Sequence, residues 1–160
     1  MKTPEQAEAP TTIDHAFLNE VKTILDEHKS ERVVVVGTTC TGKSTLLKNI
    51  EGALDMDEVL FPQLSDEEKA FVSQKPWTEE IGQTMIHFAK KRIKIEPGHP
   101  VFGTVVLEAD RILYLHIDDE LLQERVQKRG KDFEDAKNMQ KQIESEIEQS
   151  GKPTIEVGVR

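Results

Sequence analysis

Apolar residues recur along this chain with two different periods. Phe17, Val21, Ile24 and Leu25 stand at helical spacing and predict a first helix over about 12–28, with Thr11 or Thr12 as its cap. Val33 to Val36 is an unbroken β-branched run, the signature of a strand buried on both faces, which requires a parallel sheet between two helical layers. A helix-compatible stretch then runs from Lys43 to Ile50. Glu58-Val59-Leu60-Phe61 predicts the second strand, ended by Pro62. Ser65-Asp66-Glu67-Glu68 has the form of a capping box and leads into a helix with Ala70 and Phe71. A further helix begins near Thr78, with Ile81, Met85, Phe88 and Ala89 on one face. Pro97-Gly98-His99-Pro100 predicts a turn.

Two apolar runs follow, Val101 to Leu107 and Ile112 to Ile117, with only Glu108-Ala109-Asp110-Arg111 between them. A parallel crossover ordinarily takes about a dozen residues, so they cannot both be long neighbouring strands. The expectation is a short strand around Pro100–Gly103 and a turn or short helix over Thr104–Asp110. A helix from Asp118 to about Arg129 carries Leu121, Leu122 and Val126. After Gly130, a helix over about Glu134–Gln149 carries Ala136, Met139, Ile143 and Ile147 and stops at Gly151. Thr154 to Val157 supplies the last strand. No internal repeat is present.

Residues 1–11 contain Pro4 and Pro10 and no large apolar side chain after Met1, so they read as a flexible tail ahead of a single domain over 12–160. A chain of 160 residues suits one α/β domain. The net charge of −9 argues against a broad nucleic-acid surface. No apolar run reaches the roughly 20 residues of a membrane span, and the N-terminus lacks an apolar signal core. The single cysteine, Cys40, cannot form an intramolecular disulfide, in keeping with a reducing, cytoplasmic location.

Directly after the valines stands Gly37-Thr38-Thr39-Cys40-Thr41-Gly42-Lys43-Ser44, followed by Thr45. This is the Gly-x-x-x-x-Gly-Lys-Ser phosphate loop, with a strand before it and a helix after it. Gly37 and Gly42 allow backbone angles closed to other residues, so the loop can turn its amides around an oxyanion. Lys43 would meet the β and γ phosphates of ATP, the Ser44 hydroxyl would ligate Mg²⁺, and Thr45 would lie toward the α phosphate. Cys40 is either a low-pKa thiol at a helix start or, more simply, a small side chain at a variable loop position.

Arg125 and Arg129 stand four apart on one predicted helix, with Arg125 beside the apolar stripe. Two guanidiniums presented together suit a polyphosphate; an ordinary solvated helix with Glu–Arg pairs is the plainer reading. The order of elements, and the segment from Leu113 to Glu134 containing Glu124-Arg125 and Arg129-Gly130, resembles the deoxynucleoside kinases and thymidylate kinases over roughly residues 31–158. That resemblance implies a three-layer α/β P-loop NTPase fold, with a five-stranded, mostly parallel sheet in the order 2-3-1-4-5 and helices on both faces. It also implies a lid around 125–135 in which Arg125 and Arg129, and less strongly Lys131, contact phosphates. The sequence departs from these families where they carry acidic motifs. Asp57 and Glu58 fall at the wrong end of the predicted second strand, and Asp110-Arg111 precedes an apolar strand instead of following one. The general base and the Mg²⁺-ordering carboxylate are therefore unassigned, with Asp57, Glu58, Glu108 and Asp118 as nominees.

For a phosphoryl acceptor, Trp77 offers a stacking surface and Arg92 or Lys94 a phosphate contact. The expected activity is phosphoryl transfer from ATP·Mg²⁺ to a small molecule, a nucleoside or nucleotide. A nucleotide-binding regulatory or adaptor protein without efficient chemistry, or a nucleotide hydrolase, is the alternative. The GTPase Asn-Lys-x-Asp and ABC-type Leu-Ser-Gly-Gly-Gln motifs are absent.

Overall fold

Val34 and Val36 of strand β1 (Val33–Val36) point into one hydrophobic core, while Val33 and Val35 point into a second on the opposite side of the sheet. A strand with two apolar faces needs cover on both, and the rest of the chain provides it. The computed structural model describes residues 14–75 and 78–160. The sheet has five strands: β1, β2 (Leu54–Asp55), β3 (Val101–Gly103), β4 (Arg111–His116) and β5 (Thr154–Gly158). Every pairing is parallel and the order is β2-β3-β1-β4-β5, as predicted.

The second core is covered by α1 (His15–Glu27), α2 (Lys43–Asn49) and α6 (Asp119–Lys128). The first lies beneath α3 (Met56–Leu60), α4 (Asp66–Val72), α5 (Glu79–Arg92) and much of α7 (Phe133–Ser150). Ala136 near the start of α7 belongs to the second core and Ile143 to the first. Among the described residues, no helix is long and apolar enough to cross a membrane.

Asp14 caps α1, its carboxylate accepting from the Phe17 amide at 2.9 Å. The expected tail and the expected caps Thr11 and Thr12 lie outside the described residues. The capping box at Ser65 is present, with the Glu68 carboxylate accepting from the Ser65 amide at 2.8 Å and the Ser65 hydroxyl from the Glu68 amide at 3.1 Å. Thr78 caps α5, and α7 ends at Gly151.

Two expectations need correction. The second strand is not 58–61. It is Leu54–Asp55, and the predicted strand residues instead form α3 and a 3₁₀ turn at Phe61–Gln63. Met56, Val59 and Leu60 stand at i, i+3 and i+4, a helical face, and Met56 and Leu60 are buried. Asp55 caps this helix by accepting from the Asp57 amide, and Asp57 and Glu58 favour its positive N-terminal end.

The second correction concerns residues 104–110, which form neither helix nor hydrogen-bonded turn but an irregular strap that bends at Thr104, Val105, Glu108 and Asp110. Val105, Val106, Leu107 and Ala109 of the strap are buried in the first core. The dozen-residue rule does not bind here because β3 and β4 flank β1 and β3 is very short. Two strand spacings amount to roughly 10 Å, and an extended segment of this length reaches roughly 20 Å.

Ionic clasps fasten the strand bases. Arg32, just before β1, donates from its backbone amide and its guanidinium to Asp110, just before β4, at 2.9 to 3.3 Å. Arg111 donates to Glu31 at 2.7 and 3.3 Å. Asp110-Arg111 is thus a structural pair at the end of the sheet remote from the strands' C-termini. The Arg32 side-chain hydrogen bonds, then its amide, hold the Asp110 carboxyl down to about 2, below the ordinary 3.8. A lowered carboxyl stabilises the fold above its unfolded value and ceases to do so as pH falls through its folded value. Asp110→Asn should therefore lower stability at neutral pH, and the deficit against the parent should close between about pH 4 and pH 2 in urea unfolding; a pH-independent deficit would refute the assignment.

Candidate functional site

The C-terminal ends of β1, β2 and β3 open onto a cleft of about 750 Å³. This is where open parallel sheets generally hold ligands. Thr39, Cys40 and Gly42 to Thr45 line one side of it. Asp55 and Asp57, at the end of β2, stand beside them. Gly82, Gln83, Met85 and Ile86 of α5 face Asp135, Asn138, Met139 and Gln142 of α7, with Thr104 and Val105 between the two helices.

Gly37, Thr38 and Thr41 are not in the cleft lining and hold the loop's shape from behind. The Thr38 hydroxyl donates to the Ala136 carbonyl at 2.6 Å, tying the loop to α7, and the Thr41 hydroxyl donates to the Thr38 carbonyl at 2.9 Å. Both threonines are fully buried, so each hydroxyl requires such a partner. The two loop glycines serve different ends. Gly42 has φ 93°, which a side chain resists, whereas a Cβ on Gly37 would lie 2.8 Å from the Thr41 hydroxyl and 3.1 Å from Leu115. Cys40 takes φ 69° without being glycine, and its side chain is buried.

Lys43 is folded into the loop. Its Nζ donates to the Gly37 carbonyl at 2.6 Å, the Thr38 carbonyl at 2.7 Å and the Thr41 hydroxyl at 3.0 Å. The residue is half-buried, and its ammonium has all three donors satisfied within the loop. Burial lowers its pKa to about 8, with Asp57 and Asp55 pulling it back up and Arg129 pushing it further down. All three groups line the same cleft as Lys43.

Asp57 lies at the open mouth of the cleft. Its carboxyl is raised above the usual range, first by desolvation and then by the neighbouring negative Asp55, while Lys43 opposes the rise. Asp57 is the one nominee that lines the cleft. Glu58 is exposed outside it, Glu108 pairs with Lys152 at 3.3 Å, and Asp118 caps α6 through the Leu121 amide at 2.9 Å. Asp55 reaches the cleft because the second strand ends there, earlier in the chain than the sequence pattern predicts. The helical spacing of Met56, Val59 and Leu60 was the signal that moves the strand end to Asp55.

The two arginines part company. Arg129 is the C-cap of α6 and lines the cleft, as does Lys131. Arg125 lies outside the lining and donates to the Cys40 carbonyl and to the main-chain oxygen of Arg160. Only residues 129–132 connect α6 and α7. Arg92 is not free for an acceptor, since it forks onto Glu68 with two bonds of 2.9 Å and lies over the Phe88 ring; Lys94 is exposed outside the cleft. Lys75 is the cation on that wall instead, while Trp77 falls outside the described residues.

No group of three or more His, Cys, Asp or Glu side chains suited to a metal occurs among the described residues. One hydroxyl, Ser44, and one or two carboxylates, Asp55 and Asp57, match the sparse oxygen set with which Mg²⁺ is held when phosphates supply the rest. No family model matches the chain, and comparison with curated proteins gives no significant match.

Because the folded-state value of Lys43 lies below the ordinary 10.5, the unfolded chain holds more protons between the two values and stability from this group rises with pH there. Unfolding followed from pH 8 to 10 should show this rise in the parent protein and not in Lys43→Met. A rise of equal size in both would refute the burial of Nζ.

Proposed function

We propose that this chain is a P-loop kinase of the three-layer NTPase fold, which binds ATP with Mg²⁺ and transfers the γ-phosphoryl group to a small acceptor, a nucleoside or nucleotide. The observation that carries the reading is the meeting, in one cleft at the strand ends, of the Gly-Lys-Ser loop, the Asp55–Asp57 pair and Arg129. Phosphoryl transfer demands mainly positioning and charge neutralisation, and these are the groups that supply them.

In this reading the loop amides and Lys43 hold the polyphosphate, and Nζ leaves the Gly37 and Thr38 carbonyls to meet it. Ser44 and one carboxylate would hold Mg²⁺, which when bound spreads the charge of the β and γ phosphates. Asp57, with its raised pKa, accepts the proton of the attacking hydroxyl. The bond from the β-phosphate oxygen to the γ phosphorus breaks as the acceptor oxygen forms its own, and Arg129 neutralises the charge between them. Gln83, Asn138 and Gln142, with apolar Phe61, Met85, Ile86 and Met139, bound the acceptor half. Amide edges and apolar faces suit a flat body such as a base, and Lys75 offers a charge to an acceptor phosphate, so a nucleoside and a nucleotide both fit.

A nucleotide-binding protein without transfer is the second reading. The short 129–132 connection favours it, since so few residues provide little lid to exclude water from the reacting phosphate.

Lys43→Ala should abolish transfer with the circular dichroism spectrum unchanged. Asp57→Asn should cut kcat by about 100-fold or more, with ATP affinity within a few-fold of the parent. Product formation across a panel of nucleosides and nucleotides, read by ³¹P NMR, is the measurement. Full activity in Lys43→Ala sinks the kinase reading, and tight ATP binding without turnover on any acceptor selects the second.

A further inference from the structure

Arg125 has the features of a group that acts on the loop rather than on a ligand. It projects from α6, one turn before the helix ends, and is half-buried. Nη1 donates to the Cys40 carbonyl at 3.0 Å and Nη2 donates to the main-chain oxygen of Arg160 at 3.1 Å, so both ends of its fork rest on the main chain. Among the described residues no Asp or Glu side chain pairs with it. Burial, and then the positive charge of Arg129, work against its cation, with only a weak opposing pull from Glu124 among the carboxylates. A desolvated guanidinium needs acceptors, and the two main-chain oxygens supply them.

The carbonyl it holds belongs to an unusual residue. Cys40 has φ 69°, the one positive φ at a non-glycine position among the described residues. L-residues resist that angle by roughly 1 kcal/mol or more, so something must hold it. Within the loop the neighbouring carbonyls of Gly37 and Thr38 accept from Lys43, and Thr38 also accepts from Thr41. The Cys40 carbonyl turns the other way, out of the loop and toward α6. A carbonyl turned outward leaves the peptide's N–H side toward the loop's interior, the orientation an anion-binding nest needs.

We propose that Arg125 is a positioning residue that clasps the 37–45 loop in its anion-binding curvature by holding the Cys40 carbonyl, and that Arg129 is the arginine that meets the phosphates. This rests on the nucleotide-binding reading for its consequence but not for its geometry. A clasp serves every ligand of the loop alike, whereas an arginine on the transferring phosphate distinguishes ATP from ADP and acts on kcat.

The test compares Arg125→Ala, Arg125→Lys and Arg129→Ala with the parent chain. Hydrogen exchange by mass spectrometry on peptides covering 37–45 should be faster in Arg125→Ala, intermediate in Arg125→Lys, and unchanged in Arg129→Ala. Calorimetric titration with Mg·ADP and Mg·ATP should show both affinities reduced about tenfold or more in Arg125→Ala and by the same factor, with kcat at saturation within about threefold of the parent. Arg129→Ala should lose kcat and weaken ATP more than ADP.

Unchanged exchange over 37–45 in Arg125→Ala overturns the proposal, as does a loss confined to ATP and kcat. A parent protein that binds neither nucleotide overturns the function proposed above while leaving the clasp to be judged by exchange. Should Arg125→Ala not fold, the exchange and affinity ratio of Arg125→Lys decide by the same criteria.

Discussion

Double-sided burial of β1 is the constraint on which the remaining structure depends. A four-residue strand with apolar side chains on both faces and partners on both edges can exist only at the centre of a parallel sheet between two helical layers. Its C-terminal end then opens into the middle of that sheet, and the loop that leaves it is surrounded by the ends of β2 and β3, by α6 and by α7. The cleft is a consequence of this placement. Asp55, Arg129 and Asn138, far apart in sequence, reach the same space because β1 delivers the chain there.

Dense packing around the loop leaves its polar groups few choices. Thr38 and Thr41 are fully buried and bond to backbone carbonyls, Lys43 turns its three donors inward, and Arg125 reaches from the next layer. The arrangement resolves the polar groups of the loop internally at the cost of desolvating two cations. Lys43, its pKa lowered to about 8 by burial, is poised to gain from an anion, which offers its ammonium what the carbonyls give only in part.

Legibility varied with how local the cause was. The valine run, the Gly-Lys-Ser loop, the Ser65 capping box and the amphipathic helices from Asp118 onward were readable because each depends on residues within one or two turns. The second strand was misplaced because β2 is only two residues long and owes its existence to pairing with Val101 and Phe102. With the strand moved back, Asp55 and Asp57 change from residues at the wrong end to residues facing Lys43. The strap over 104–110 was misjudged for the same reason, since its path depends on which strands it joins.

Arg125 and Arg129 mark the boundary most clearly. Their spacing of four and the apolar stripe beside Arg125 were written in the sequence, and so was the partly inward direction of Arg125. That one ends beneath the loop and the other in the cleft was decided by where α6 stops, by the Cys40 carbonyl and by the main-chain oxygen of Arg160. The sequence by itself determined a parallel α/β sheet with a phosphate-loop motif at its centre, because periodicity and glycine spacing are local properties of the chain. Tertiary structure alone decided which carboxylates and which arginine share the cleft, because electrostatic partnership depends on distance through space and only packing sets that distance.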